Sequence, residues 1–306
     1  MLQLMLIAGL LIELGVYALL GTYWWRNGLH PALIPLLILT LAVGLRVLAA
    51  LPSYLLSIAF RLRDRNRQPW GNSLLALARE IDARAFALTI TEPFHQWLMP
   101  DEPLGTKNGT PILLVHGYVS NRGMFWRMQK SLAAAGIGPV YTVGLRPLFG
   151  SIDEMVPVLA ARIEAICSEC GAEKVNIIAH SMGGLVTRAY LVANPAAGRV
   201  ARLITIGSPH HGTQMATFGI GRCVQEMRID SLRLSTLAGA EAALSKPPTL
   251  SIYTLNDDLV YPAESSRLDW AENLPMSGIG HVSLLSSKSS IERIIAELRV
   301  RADSLI

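Results

Sequence analysis

The stretch "IIAHSMGGLV", residues 177–186, decides how this chain is read. An apolar run ends at His180-Ser181, and two glycines follow before a helical pattern begins. As the end of a strand, a tight turn and the start of a helix, it puts Ser181 at the apex, where only small neighbours such as Ala179, Gly183 and Gly184 fit. A serine there either fills a crowded turn or attacks a substrate. Its hydroxyl is a poor nucleophile unless a histidine takes the proton and a carboxylate orients that histidine. The rest of the chain has to supply both.

Outward from this turn, strand and helix patterns alternate. Residues 111–117, 140–145, 174–180, 201–209 and 249–257 read as short buried strands, and 121–136, 151–171, 182–194 and 281–301 as helices. The helix at 151 opens with Ser151-x-x-Glu154, a capping-box pattern. Strands separated by helices of this length need crossover connections, so the expected fold is α/β, a mostly parallel, doubly wound sheet. Binding groups in such sheets gather at the carboxyl ends of strands, which is where Ser181 stands.

Seven histidines compete for the role of base. His30 and His95 lie before the sheet, and strand geometry fixes His116 and His180. His210 and His211, in "TIGSPHHGT" (205–213), either shape the site or belong to a structural turn. His281, in "SGIGHVSLL", sits in a loop after the last expected strand, free to fold over the sheet's carboxyl edge, and is the candidate base. The acid is expected at the end of a late strand, where "NDDLVYP" (256–262) offers Asp257 and Asp258; either also fits an ordinary turn aspartate.

"PILLVHGY", "AHSMGG", "NDDLVYP" and "GIGHVSLL", in that order, resemble the α/β-hydrolase lipases of bacteria over about residues 110–303. The Ala179-His180-Ser181-Met182-Gly183 turn resembles the alanine form of the G-x-S-x-G elbow in small Bacillus lipases. The resemblance implies an α/β-hydrolase fold and a triad of Ser181, Asp257 and His281, with Asp257 chosen over its neighbour. It also implies an oxyanion hole built from the N–H groups of Met182 and Tyr118. Here the loop reads His-Gly-Tyr-Val, with Val119 in place of a second glycine. A carboxylic ester hydrolase, acting on acyl lipids and needing no metal or organic cofactor, is what the resemblance implies. An acyltransferase or thioesterase uses the same three residues, and a non-catalytic membrane protein on a hydrolase scaffold is the reading from another class. Residues 213–248, longer than in the minimal lipases, form either a small cap or ordinary covering helices.

Apolar residues make up 51% of the chain and charged residues 16%, and the apolar excess lies in the first sixty positions. Residues 1–20 carry one charge, Glu13, and residues 31–60 one, Arg46; the turn between them holds Tyr23, Trp24 and Trp25. The expectation is a membrane anchor of two transmembrane helices over 1–60, with Glu13 and Arg46 paired across the hairpin. A basic juxtamembrane and linker helix region follows over 61–109, then a catalytic domain over 110–306. "RLRDRNR" (61–67) has four arginines against Arg26 alone in the turn, which predicts an inner-membrane, multi-pass protein with a cytoplasmic catalytic domain. The same run is expected to face anionic lipid heads rather than nucleic acid. Asn72 and Ser73 are the expected N-cap of the linker helix. Cys167 and Cys170 form a C-x-x-C at a helix end with no second metal-ligand pair, which favours core thiols over zinc. Nothing in the sequence fixes the oligomeric state.

Overall fold

The computed structural model describes residues 1–63, 70–99, 103–105, 109–195 and 198–299. Six strands form one parallel sheet: β1 (Ile112–Val115), β2 (Val140–Val143), β3 (Val175–His180), β4 (Val200–Ile206), β5 (Thr249–Thr254) and β6 (Glu272–Met276). Their order across the sheet is β2-β1-β3-β4-β5-β6. Every neighbouring pair runs parallel, so all six carboxyl ends meet one edge. The register aligns Val115 with Ala179 and His180 with Ile206, which sets the turns after β1, β3 and β4 side by side.

The first three strands and the fourth are apolar on both faces because helices cover both. One face packs under α6 (Ile152–Cys170) and α7 (Met182–Ala193). The other packs under α5 (Trp126–Ala134) and α10 (Lys288–Arg299). The capping box at Ser151 and Glu154 is formed as the sequence indicates, and α6 ends on Gly171 in a left-handed conformation. The helix expected over 121–136 is a 3₁₀ turn, Arg122–Phe125, followed by α5. The one expected from 281 is a 3₁₀ turn, Ser283–Leu285, followed by α10. β6 escapes sequence reading because "ENLPM" has little alternation and holds Pro275, tolerated only because β6 is an edge strand.

Two long apolar helices precede the sheet. α1 (Leu2–Arg26) and α2 (Leu33–Arg63) are each long and apolar enough to cross a membrane. They pair as a hairpin in which Arg46 and Glu13 form the expected ion pair. α2 then continues beyond its apolar part. Ala50, Tyr54, Ser57 and Arg61, a stripe at helical spacing, are buried against the rest of the chain. α3 (Trp70–Phe86) begins two residues before the expected cap pair, so Asn72 and Ser73 lie in its first turn. Its own buried stripe is Ala76, Glu80 and Ala83, continued by Ala87 just beyond its end, an apolar face with one carboxylate in it. A π-turn (Ala87–Thr91) and the short α4 (His95–Leu98) lead on toward β1.

The segment between β4 and β5 carries a 3₁₀ turn (Gln214–Thr217), α8 (Arg222–Glu226) and α9 (Leu232–Glu241). It is tied down by charge. Arg188 of α7 makes a buried two-pronged pair with Glu241, at 2.7 and 2.6 Å, and gives its third contact to the His210 carbonyl. The Glu226 carboxylate accepts from the Ser151 hydroxyl and the Ile152 N–H, capping α6.

Candidate active site

β3 delivers Ser181 to the carboxyl edge in a conformation that L-residues avoid, φ +53° and ψ −127°. The surroundings enforce it. A Cβ at Gly183 would come within 2.6 Å of the Val115 carbonyl and 2.7 Å of the His116 carbonyl, so α7 approaches β1 only with glycine there. Ser181 N–H donates to the Ile206 carbonyl at 2.9 Å, fixing the turn to the next strand.

The loop after β5 carries Asp257 and the loop before α10 carries His281. Both side chains are buried, and His281 Nδ1 lies 2.9 Å from Asp257 Oδ2. The other Asp257 oxygen accepts from the Leu259 and Val260 N–H groups at 2.9 and 2.7 Å. With Oδ1 held by the backbone, Oδ2 is aimed at the imidazole. Burial presses the His281 imidazole toward its neutral form, but the charge and hydrogen bond of Asp257 outweigh it, and the net effect raises its pKa above the ordinary value. Ser181 and His281 line one cavity of about 430 Å³, within the range of small-molecule sites.

The two proposed oxyanion donors are placed differently. Met182 buries its side chain in the core, and its N–H is at the first position of α7, where the helix supplies no acceptor. Tyr118 lines the cavity, and its hydroxyl donates to the Ile220 carbonyl at 2.8 Å. Val119 takes φ +43°, the left-handed conformation a glycine would adopt freely. The loop keeps a glycine-like path despite the valine.

The remaining histidines are held in other roles. His116 accepts from the Leu145 N–H through Nε2 and contacts the Gly117 carbonyl through Nδ1; burial lowers its pKa to about 4. His180 is buried with its ring centroid 4.6 Å from that of His281, and burial with that neighbour keeps it neutral. His210 bonds Thr205 Oγ1 at 3.1 Å, beneath the sheet edge, and His211 is exposed.

Asp258 is not the turn residue its sequence context allows. It is fully buried and bonds Arg84 and Ser53, each at 2.6 Å. Burial raises its pKa to about 6, with Arg84 opposing the shift. Asp258 belongs to a cluster that the sequence does not reveal directly. Glu80, from the buried stripe of α3, accepts from Arg84 at 2.8 Å and from the Val282 and Ser283 N–H groups, each at 2.9 Å. Those two amides immediately follow His281. Gly280 makes this possible, since a Cβ there would meet Glu80 Oε2 at 2.5 Å. Arg61 of α2 donates to the Asp257 carbonyl at 2.9 Å and is buried, so it does not face lipid heads as expected of the basic run. Residues 64–67 of that run lie outside the described residues.

Glu92 also lines the cavity. Its Oε1 accepts from Ser120 at 2.6 Å, while Oε2 is buried without a partner. Burial raises its pKa to about 7, only partly offset by Ser120.

A family model described as a PGAP1-like alpha/beta domain matches residues 152–280. Triacylglycerol lipases of Pseudarthrobacter phenanthrenivorans and Burkholderia plantarii are each 37% identical over 117 residues. That stretch is 35% of this chain and 35% and 32% of theirs. The chain therefore spans about a third of the length of the curated relatives it matches. Among solved structures, mature Bacillus licheniformis lipase BlEst2 superposes with a TM-score of 0.55 at 19% identity, covering 65% of this chain and 93% of that one. Aspergillus fumigatus lipase B gives 0.57 at 19% identity, covering 63% and 53%. The fold is that of the α/β hydrolases, as the sequence resemblance implies. Within it, a stretch of sequence is similar to bacterial triacylglycerol lipases.

The two neighbouring aspartates are expected to separate cleanly. Asp257→Asn should cost turnover about 10⁴-fold, by analogy with other triads, and leave the fold intact. Asp258→Ala should cost about 1.5–3 kcal/mol of stability by removing one of the two carboxylates that hold Arg84. Ester turnover and thermal unfolding of both variants decide it; equal losses of turnover at unchanged stability would contradict the assignment.

Glu92 gives a stability signature with pH. Its carboxyl is protonated in the folded chain up to about 7, but in the unfolded chain only to its ordinary value of 4.5. Wild-type stability therefore falls as pH rises through that window, and Glu92→Gln removes the fall. The variant's unfolding midpoint should exceed the wild type's by more at about pH 8 than at about pH 5. A difference independent of pH would show that the buried carboxyl is not the titrating group.

Proposed function

We infer that the protein is a membrane-anchored serine hydrolase of carboxylic esters, with acyl lipids as substrates. One observation carries this reading: His281, held by the buried Asp257, lines the same cavity as Ser181, which stands on a strained turn at the sheet's carboxyl edge. The similarity to triacylglycerol lipases supports the ester class.

In this mechanism Ser181 Oγ attacks the acyl carbon while its proton passes to His281 Nε2. Asp257 holds Nδ1–H, which selects the tautomer that leaves Nε2 free, and stabilises the imidazolium that forms. The carbonyl oxygen becomes an oxyanion that accepts from the Met182 and Tyr118 N–H groups, each worth about 3 kcal/mol in comparable sites. Collapse breaks the ester bond, and His281 returns the proton to the departing alcohol. Water, activated by the same histidine, then attacks the acyl-serine and releases the acid. The chemistry needs no metal or organic cofactor.

Anchoring is assigned to α1 and the apolar part of α2, which puts residue 1 and the catalytic domain on one side of the membrane. Four arginines in 61–67 against Arg26 in the turn favour the cytoplasmic side of an inner membrane.

A membrane-impermeant fluorophosphonate tests chemistry and side together. Inverted inner-membrane vesicles should label at Ser181 and intact spheroplasts should not. Ser181→Ala should abolish both labelling and ester hydrolysis with the fold retained. Full labelling of that variant would end the serine-hydrolase reading, and labelling of intact spheroplasts would reverse the orientation.

A further inference from the structure

The hairpin's position against the catalytic domain sets how deep that domain sits. Tyr23 marks the far interface of α1 with Trp24 and Trp25. Counting back to Gln3 covers about 30 Å at 1.5 Å per residue, the thickness of the hydrocarbon core. Gln3 Nε2 donates to the Pro93 carbonyl at 2.9 Å. Further into the span, Arg46 pairs with Glu13 and also donates to Thr89 Oγ1 at 3.2 Å. The near surface of the bilayer therefore falls at the level of Pro93, and the π-turn at 87–91 lies at or below it.

The side chains at that level are suited to lipid. Leu88 is 44% exposed, Ile90 43% and Trp97, on the adjoining α4, 80%. Across the cavity, Phe218 is 63% exposed. Leu88 and Phe218 both line the cavity that holds Ser181 and His281, so the exposed apolar side chains reach its rim. A soluble domain has no reason to leave such a ledge in water beside its cavity.

We propose that the ledge of Leu88, Ile90, Trp97 and Phe218 is immersed in the bilayer that holds the α1–α2 hairpin, and that the cavity takes its acyl chain sideways from that bilayer. The proposal rests on the hydrolase reading above for the reaction and on the hairpin for depth. An acyl chain moving between Leu88 and Phe218 stays in apolar surroundings from membrane to Ser181. Extraction through water, at about 0.8 kcal/mol per methylene, is avoided. The partner is the lipid acyl region itself, continuous with the spans, rather than a second protein.

The full chain in phosphatidylethanolamine–phosphatidylglycerol vesicles, with and without bromine-labelled acyl chains, tests the placement. Tryptophan fluorescence should be quenched by bromine, and Trp97→Phe should lose part of the quenchable signal. In the same vesicles, Ile90→Asp should lower hydrolysis of an embedded long-chain diacylglycerol at least about tenfold, because a charge replaces an exposed apolar side chain placed in lipid. Hydrolysis of water-soluble p-nitrophenyl acetate should not change. An unquenched Trp97 with an unaltered ratio of the two activities would overturn the proposal, as would protection of Trp97 by a protein partner instead of lipid. A wild-type chain hydrolysing neither ester would sink the hydrolase reading alone, since Trp97 quenching reads the ledge without turnover.

Discussion

The Glu80 carboxylate is the constraint on which the candidate site depends. It sits in the buried stripe of α3, where a lone charge would be costly, and it is satisfied by Arg84 and by two backbone amides next to His281. Arg84 in turn reaches Asp258, beside the Asp257 that orients the imidazole. One cluster of three charged side chains therefore fixes the two loops that carry Asp257 and His281 relative to each other. Glu80 and Asp258 are buried with Arg84 between them, so removing Arg84 leaves two buried carboxylates without their shared cation, and the loops are held by the cost of breaking the cluster more than by the worth of any single bond.

That cluster also joins the site to the hairpin. Ser53 bonds Asp258, Arg61 holds the Asp257 carbonyl, and Phe60 stacks on Tyr261 at 5.3 Å. α2 thus begins as an apolar helix long enough to cross a membrane and ends as part of the support for the loop that carries Asp257. α2 therefore joins the apolar hairpin to the loop that carries Asp257. In the anchored arrangement proposed above, the depth of the hairpin sets the depth of the cavity rim.

Much of the fold was legible because the sheet's inner strands are apolar on both faces and are separated by helices with clear caps, as at Ser151. The candidate residues were legible because each stands in a local pattern: small residues around Ser181, a strand end at Asp257, a glycine-rich loop at His281. β6 was not, since an edge strand with a proline carries little periodic signal. The buried places of Asp258 and Arg61 carry no local signal, because a charge in a turn or a basic run looks solvated until its three-dimensional partner is known. Glu80 left one usable trace. At positions 76, 80, 83 and 87 three alanines and one glutamate share a helix face, and a charge in an apolar stripe marks a buried partner. Nothing local said the partner would be the amides after His281, a contact spanning two hundred residues.

α2 and α3 hold Asp257 and His281, the proposed acid and base, in place. The direct measurement is the rate of fluorophosphonate labelling at Ser181 in a fragment beginning at residue 104, which keeps the whole sheet but lacks Arg61, Glu80 and Arg84, against the full chain. Support by those helices predicts that the fragment labels slowly or not at all, even where its circular dichroism shows a folded α/β domain. Labelling at the full-chain rate would mean that the sheet and its loops assemble the site alone.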